Sequence, residues 1–348
     1  MKFAIITDQH FGVRGDDLNF FKYYEEFYSK TFFPELEKRG IKTVLMLGDT
    51  FDRRKYTNHN TLYHARRMYF DKLKDYDVHC IVGNHDVAYK NTNDVNTPEL
   101  FLSDYPNIKI YKDASEIEVY DTKILMMPWI CSENKDHAFK MMENTTAQIL
   151  LGHLEIIGFE MYPGFVNEEG LETSIFKKFE FVGSGHLHHR SSRGNIHYFG
   201  SPYETTWSDF GDPRGFHIFD TATREVEFVL NPFKMFHKIF YDDSVKANYD
   251  FSMLKNKICK VIIVQKNKPI LFDTFMDELI RSSPYDVQVV EDHLNAMNMS
   301  SEDVMSATED TLTIVRQYIN NIKINEDDKK MVGTLFHNLY NEALTPEA

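Results

Sequence analysis

Apolar and polar positions in the first hundred residues switch between two periods. Short uninterrupted apolar runs at Lys2–Thr7, Thr43–Leu47 and Val78–Val82 have the aliphatic, β-branched character of strands buried on both faces. Between them, Asp17–Arg39 and Asn58–Asp75 repeat apolar residues at helical spacing, and Gly40 stops the first of these helices. The order is βαβαβ. A shorter helix over Thr97–Ser103 is announced by Thr97 as N-cap and Pro98 at the first helical position. Strands then dominate, in KILMMPWI from Lys123, AQILLGH from Ala147, FEFVGSGHLH from Phe179, IHYFGSP from Ile196, GFHIFD from Gly215 and EVEFVL from Glu225. This group predicts a second sheet packed face to face on the first, in an α/β domain over residues 1–232. A smaller βαβ pattern follows over residues 233–295, with a helix over Ile270–Arg281. Residues 296–310 are acidic and aperiodic, which reads as a linker. Residues 311–348 return to helical periodicity, where Met331, Val332, Leu335, Phe336, Leu339 and Tyr340 form one apolar stripe.

Composition changes this picture little. A chain of 348 residues with 42% hydrophobic and 26% charged residues is expected to fold as two domains and a tail. No apolar run is long enough to span a bilayer and no signal-peptide core follows Met1, so the expected location is the cytoplasm. Cys80, Cys131 and Cys259 are odd in number and widely spaced, the pattern of buried thiols rather than a disulfide framework or zinc knuckle. The net charge of −14 counts against a nucleic-acid partner, whose phosphates call for Lys and Arg. Much of the acid, however, lies at Glu302, Asp303, Glu309, Asp310 and Glu326–Asp328, away from the motifs below, where divalent cations would add positive charge.

Five pieces carry the chemistry: Asp8-x-His10, Gly48-Asp49-x-x-Asp52, Gly83-Asn84-His85-Asp86, Gly152-His153 and Gly185-His186-x-His188. Each follows an apolar strand, and the carboxyl ends of strands are where an α/β sheet presents catalytic groups. Carboxylate, amide and imidazole donors without thiolate suit manganese, iron or zinc rather than an all-oxygen calcium cage. Two such ions, about 3.5 to 4 Å apart, activate a water and stabilise an in-line displacement at phosphorus. A carboxylate shared by both must be central, and Asp49 is the expected bridge.

In this order the five pieces resemble the calcineurin-type metallophosphoesterases, and within them the SbcD and Mre-type DNA double-strand-break nucleases, the T-even phage recombination endonuclease branch above all. The resemblance implies a four-layer α-β-β-α sandwich, a small α/β capping domain over DNA, and a helical C-terminal segment that docks on an SbcC-type coiled-coil ATPase. It implies Asp8, His10, Asp49 and His188 on one ion and Asp49, Asn84, His153 and His186 on the other, with manganese as the expected metal. His85 is then the general acid. Asp86 either orients His85 or caps the turn, and Asp52 supports His10 or another ligand histidine; some relatives place a second histidine at the Asp52 position. Arg53, Arg54, Arg190 and Arg193 are expected to track phosphates, and Tyr203 and Trp207 either stack on a base or pack in the core. A homodimer is implied through the helices at Asn58–Asp75 and Thr97–Ser103, with Leu62, Leu100 and Phe101 exposed. The activity expected is that of a manganese-dependent DNA exo- and endonuclease subunit in recombination, repair and replication. The same ions would also serve a phosphatase or cyclic-nucleotide phosphodiesterase, and a non-catalytic scaffold for the ATPase is the rival of another class.

Overall fold

The computed structural model describes residues 1–162, 165–246 and 248–291, together with 319, 325, 328–329 and 331–336. The acidic linker and most of the terminal helical segment read in the sequence lie outside the described residues. Two compact units divide at Met235/Phe236.

In the first unit, the predicted strands Lys2–Ile6, Thr43–Leu47 and Asp77–Ile81 lie side by side and parallel, and Ile108–Tyr111 extends them. The two last strands of the unit, Gly215–Asp220 and Val226–Leu230, were expected in the second sheet. Instead Gly215–Asp220 adds antiparallel to Lys2–Ile6 and Val226–Leu230 antiparallel to Gly215–Asp220, which completes a six-stranded first sheet. Their alternating apolar residues fit either sheet equally; what places them is the open edge of Lys2–Ile6. The second sheet runs Ser191–Arg193, Ile196–Tyr198, Phe181–Gly185, Ile149–His153, Thr122–Met127, Ser115–Val119.

The pleat sorts side chains into layers, because successive residues of a strand face opposite ways. Phe3, Ile5, Leu45, Leu47 and Ile81 meet Ile124, Met126, Ile149 and Leu151 between the sheets. The alternate residues Leu125, Met127, Leu150 and Val182 pack against Ala138 and Met142 of the helix Lys135–Asn144. On the opposite side, Phe27 and Phe32 reach Phe216 of the first sheet, so the N-terminal helical layer covers it. That layer is not one regular helix. Leu18–Phe27 passes through a π-helical turn, Tyr28–Phe32, into Phe33–Arg39, because Pro34 has no N–H to close an ordinary turn and widens the coil. Gly40 ends it at φ 65°, as expected. The helix Thr97–Leu102 is capped one residue earlier than read, by Asn96, whose side chain accepts the Glu99 amide.

Cys80, Cys131 and Cys259 are free and buried, as the sequence implies. Among the described residues, no helix is long and apolar enough to cross a membrane. The second unit sets three parallel strands, Phe236–Asp242, Ile258–Gln265 and Asp286–Glu291, behind the helix Pro269–Arg281, over a core of Tyr241, Val261, Phe275 and Leu279.

One buried histidine sets a pH dependence. His217 stands between Phe199 and Phe228, and burial, then the charges of Arg190 and His197, push it down to about 3 from 6.5. Below the unfolded value the unfolded chain takes up a proton that the fold refuses, so this stability is complete above pH 6.5 and drains as pH falls toward 3. Between pH 7.5 and 5 the loss is about 2 kcal/mol by linkage. Urea midpoints of wild type and His217→Gln at both pH values check this: the variant is expected to lose less on acidification, and equal losses would refute the assignment.

Candidate metal centre

All five sequence pieces meet at the carboxyl ends of the two sheets' central strands. Asp8 and His10 follow Lys2–Ile6, Asp49 follows Thr43–Leu47, Asn84 and His85 follow Asp77–Ile81, His153 ends Ile149–His153, and His186 and His188 follow Phe181–Gly185. The chain turns sharply as it leaves the strands: Asp8, His10, Asp49 and His186 have φ of 52°, 43°, 49° and 88°. Non-glycine residues seldom adopt this region, and such strain gathers at functional sites. Gly48 shows why the motif needs glycine. Its φ is +84°, and a Cβ there would come within 2.6 Å of His153 Nδ1. A Cβ on Gly83 would collide with the Asp49 carboxylate.

Three groups of ligand atoms result: Asp8, His10 and His188; Asp49, His153 and His186; and His10, Asp52 and His85. Asp49 joins the first two. Its Oδ2 is 3.7 Å from His10 Nε2 and 3.3 Å from His153 Nε2, while Oδ1 accepts the His85 amide at 2.8 Å. The Asp8 carboxylate accepts the His186 amide. Asn84 Oδ1 lies 3.0 Å from His153 Nε2 and 2.9 Å from His186 Nδ1, which places it in the second group.

These atoms fit a cation on chemical grounds. His153 Nδ1 is 2.8 Å from the Leu47 carbonyl, which can only accept, so Nδ1 carries the proton. The lone pair of neutral His153 Nε2 would then face the oxygens of Asp49 and Asn84. Likewise His10 Nδ1 faces Asp52 Oδ1 at 3.4 Å, and His10 Nε2 lies 2.9 Å from His188 Nε2. Donor atoms turned on donor atoms require positive charge among them. In the chain alone, protons supply it. Burial depresses both imidazoles, but Asp52, Asp49 and Asp8 around His10, and Asp49 and Asp8 around His153, outweigh it and push each up to about 9. Asp49 is held well below the usual carboxylate range, its burial overcome by His153, His85 and His10. Burial pushes His188 and His85 down.

The structure separates the roles that the sequence left open. Asp86 accepts the Phe51 and Gly83 amides at 3.0 and 2.9 Å, so it ties the turn and does not orient His85. Asp52 acts twice: its carboxylate faces His10, and its backbone carbonyl holds His85 Nδ1 at 2.7 Å. His85 Nδ1 is therefore the protonated nitrogen of the neutral ring.

The residues expected to meet DNA fare unevenly. Arg53 pairs with Asp16 at 3.2 Å and with the Tyr56 hydroxyl, and the exposed Arg190 lies 4.1 Å over the Phe228 ring. Arg54 is half-buried and Arg193 is exposed. Tyr203 is core: fully buried, it stacks on Tyr24 at 3.6 Å and its hydroxyl donates to the Gln9 carbonyl. Trp207 sits in a 3₁₀ turn near Phe210.

Two residues escaped the sequence reading. Arg214, buried, donates to the carbonyl of His188 and to Ser201, and pairs with Asp209 and Asp212 at 2.8 and 2.9 Å; Asp212 in turn meets His189 Nδ1 at 3.0 Å. This network anchors the segment that carries His186 and His188, and nothing in the local pattern of Asp-Pro-Arg-Gly singles it out. Trp129 did have a signal: Pro128-Trp129 ends an apolar strand, the position where five other apolar strands place a motif residue. Its ring lies 5.2 Å from His186 and 6.3 Å from His153.

Sheets, strand-end motifs and convergent donors together define a metal-dependent phosphoesterase. The calcineurin-like phosphoesterase family matches residues 1–202, and the chain belongs to that family and is a metal-dependent phosphodiesterase. More particularly, it is 31% identical over 347 residues to exonuclease subunit 1 of Enterobacteria phage T4, covering 99% of both chains. It is 26% identical over 125 residues to the SbcD component of the nuclease SbcCD from Staphylococcus epidermidis, covering 33% of each. A solved structure described as a novel archaeal phosphodiesterase aligns over 66% of this chain and 100% of its own, with 14% identity and a TM-score of 0.34.

Proposed function

We propose that the chain is the nuclease subunit of a DNA-end-processing complex, cleaving phosphodiesters with two manganese ions. The observation that carries this reading is its likeness, end to end, to a chain named as an exonuclease subunit. In it, Asp8, His10, Asp49 and His188 hold one ion, and Asp49, Asn84, His153 and His186 the other. Ions held there supply Lewis-acid charge and a water of lowered pKa for in-line attack at phosphorus. The protein's part is positioning. The Leu47 carbonyl and Asp52 carboxylate fix the rings of His153 and His10, and Arg214 anchors the His188 segment. His85, once Nε2 has also taken up a proton to give the imidazolium, passes that proton to the leaving oxygen and returns to the neutral ring protonated at Nδ1.

Residues 233–295 are proposed as a cap over DNA. Arg53, Arg54, Arg190 and Arg193 are proposed phosphate contacts, read by the salt dependence of binding after their substitution. Of the residues expected to be exposed, Leu100 is 65% exposed on Thr97–Leu102 while Leu62 and Phe101 are half-buried. Leu100 and Tyr63, 57% exposed on His59–Met68, support a homodimer through these helices, measurable by sedimentation. In the terminal helix, Met331 and Leu335 are 65% and 58% exposed, an apolar face suited to a coiled-coil ATPase.

The test is incubation of labelled blunt, nicked and hairpin DNA with the protein and manganese, with and without the ATPase subunit. Metal-dependent cleavage is expected, and co-purification of the two subunits is expected to need residues 311–348. Robust phosphomonoester turnover with no cleavage of any DNA would make the chain a phosphatase instead.

A further inference from the structure

We propose that the cleft beside His153 and His186 is a nucleobase subsite, in which the Trp129 indole is the platform for the base next to the cleaved phosphate. The proposal rests on the nuclease reading and deepens it.

Trp129 is firmly seated. Its amide donates to the Val82 carbonyl at 2.8 Å, and its own carbonyl accepts the side-chain amides of Asn93 and Asn134 at 2.8 and 3.0 Å. The side chain is only half-buried, and it borders both imidazoles of the second ligand group. A cleft of about 560 Å³ opens there, walled by Ile130, Leu171 and Glu155 as well as Trp129, with the exposed Lys90 and Lys135 also lining it. That volume falls in the range that accommodates a small ligand such as one nucleotide.

The lining chooses which part of a nucleotide enters. The Glu155 carboxylate, 3.9 Å from His186 Nε2, repels a phosphate but accepts the amino group of a base. Apolar walls and an indole suit a flat π face, and base–aromatic stacking contributes about 1–3 kcal/mol with little preference among bases. Lys90 and Lys135 suit the phosphate that follows. Of the two aromatics that the sequence offered for this role, Tyr203 is closed off in the core.

The chain has two tryptophans, so Trp207→Phe leaves Trp129 as the sole indole emitter. Titrating that variant with deoxyadenosine monophosphate, or with a short single-stranded oligonucleotide, in the presence of chelator is expected to give saturable quenching. Trp129→Ala should raise KM for DNA about 5- to 150-fold, the stacking energy expressed as affinity, with kcat changed less than about threefold. Trp129→Phe should recover part of the loss. A merely structural Trp129 would instead lower kcat or metal content and leave KM alone, and that result overturns the proposal. Absence of quenching also overturns it, even if Trp129→Ala fails to fold. DNA cleavage without quenching sinks the subsite and leaves the nuclease standing. Quenching in a protein that cleaves no DNA keeps the subsite and sinks the nuclease reading.

Discussion

Asp49→Ala is expected to remove both metal ions and all measurable phosphodiesterase activity. The carboxylate sits between the two ligand groups, with Oδ2 within 3.7 Å of His10 Nε2 and 3.3 Å of His153 Nε2, so one truncation weakens both sites at once. The Asp8 carboxylate, although its charge also reaches His153, groups with His10 and His188 and is engaged by the His186 amide. Losing the nucleophile's activation and the charge that stabilises the leaving oxygen together removes several kcal/mol of transition-state stabilisation, and each 1.36 kcal/mol is about a factor of ten. Elemental analysis of the purified variant after equilibration with manganese reads the first effect and a diester assay the second. Two ions retained by the variant would contradict a bridging role.

His85→Ala is expected to separate the two readouts: metal content stays at the wild-type level while turnover falls by about 10²–10⁴, the usual worth of a positioned general acid. His85 is next to a ligand residue but its own Nδ1 is spent on the Asp52 carbonyl, at 2.7 Å. Its backbone amide, which supports Asp49 Oδ1, survives the substitution. Normal cleavage by this variant would remove His85 from the mechanism. A variant that loses its metals would make it a ligand.

The metal centre was legible because its residues sit at the ends of strongly apolar strands. Position 8, 49, 84, 153 or 186 can be found from the run that precedes it, since strand period and buried β-branched residues are local properties. The roles of Asp52 and Asp86 were not legible. Both are aspartates near a motif histidine, and only the folded geometry shows the Asp86 oxygens taken by the Phe51 and Gly83 amides while Asp52 faces His10. Arg214 was invisible for the same reason: its partners Ser201 and the His188 carbonyl, distant along the chain, become neighbours only in the fold.

By itself, then, the sequence determined the α/β class, the strand ends that carry the donors, and the donor chemistry that selects divalent cations. These follow from periodicity and residue type, which are written along the chain. Only the tertiary structure decided which sheet received the last two strands, that Tyr203 is core and that Trp129 faces a cleft. Those depend on which edges and faces remain open once the rest has packed, and contacts between residues far apart in sequence leave no local pattern to read.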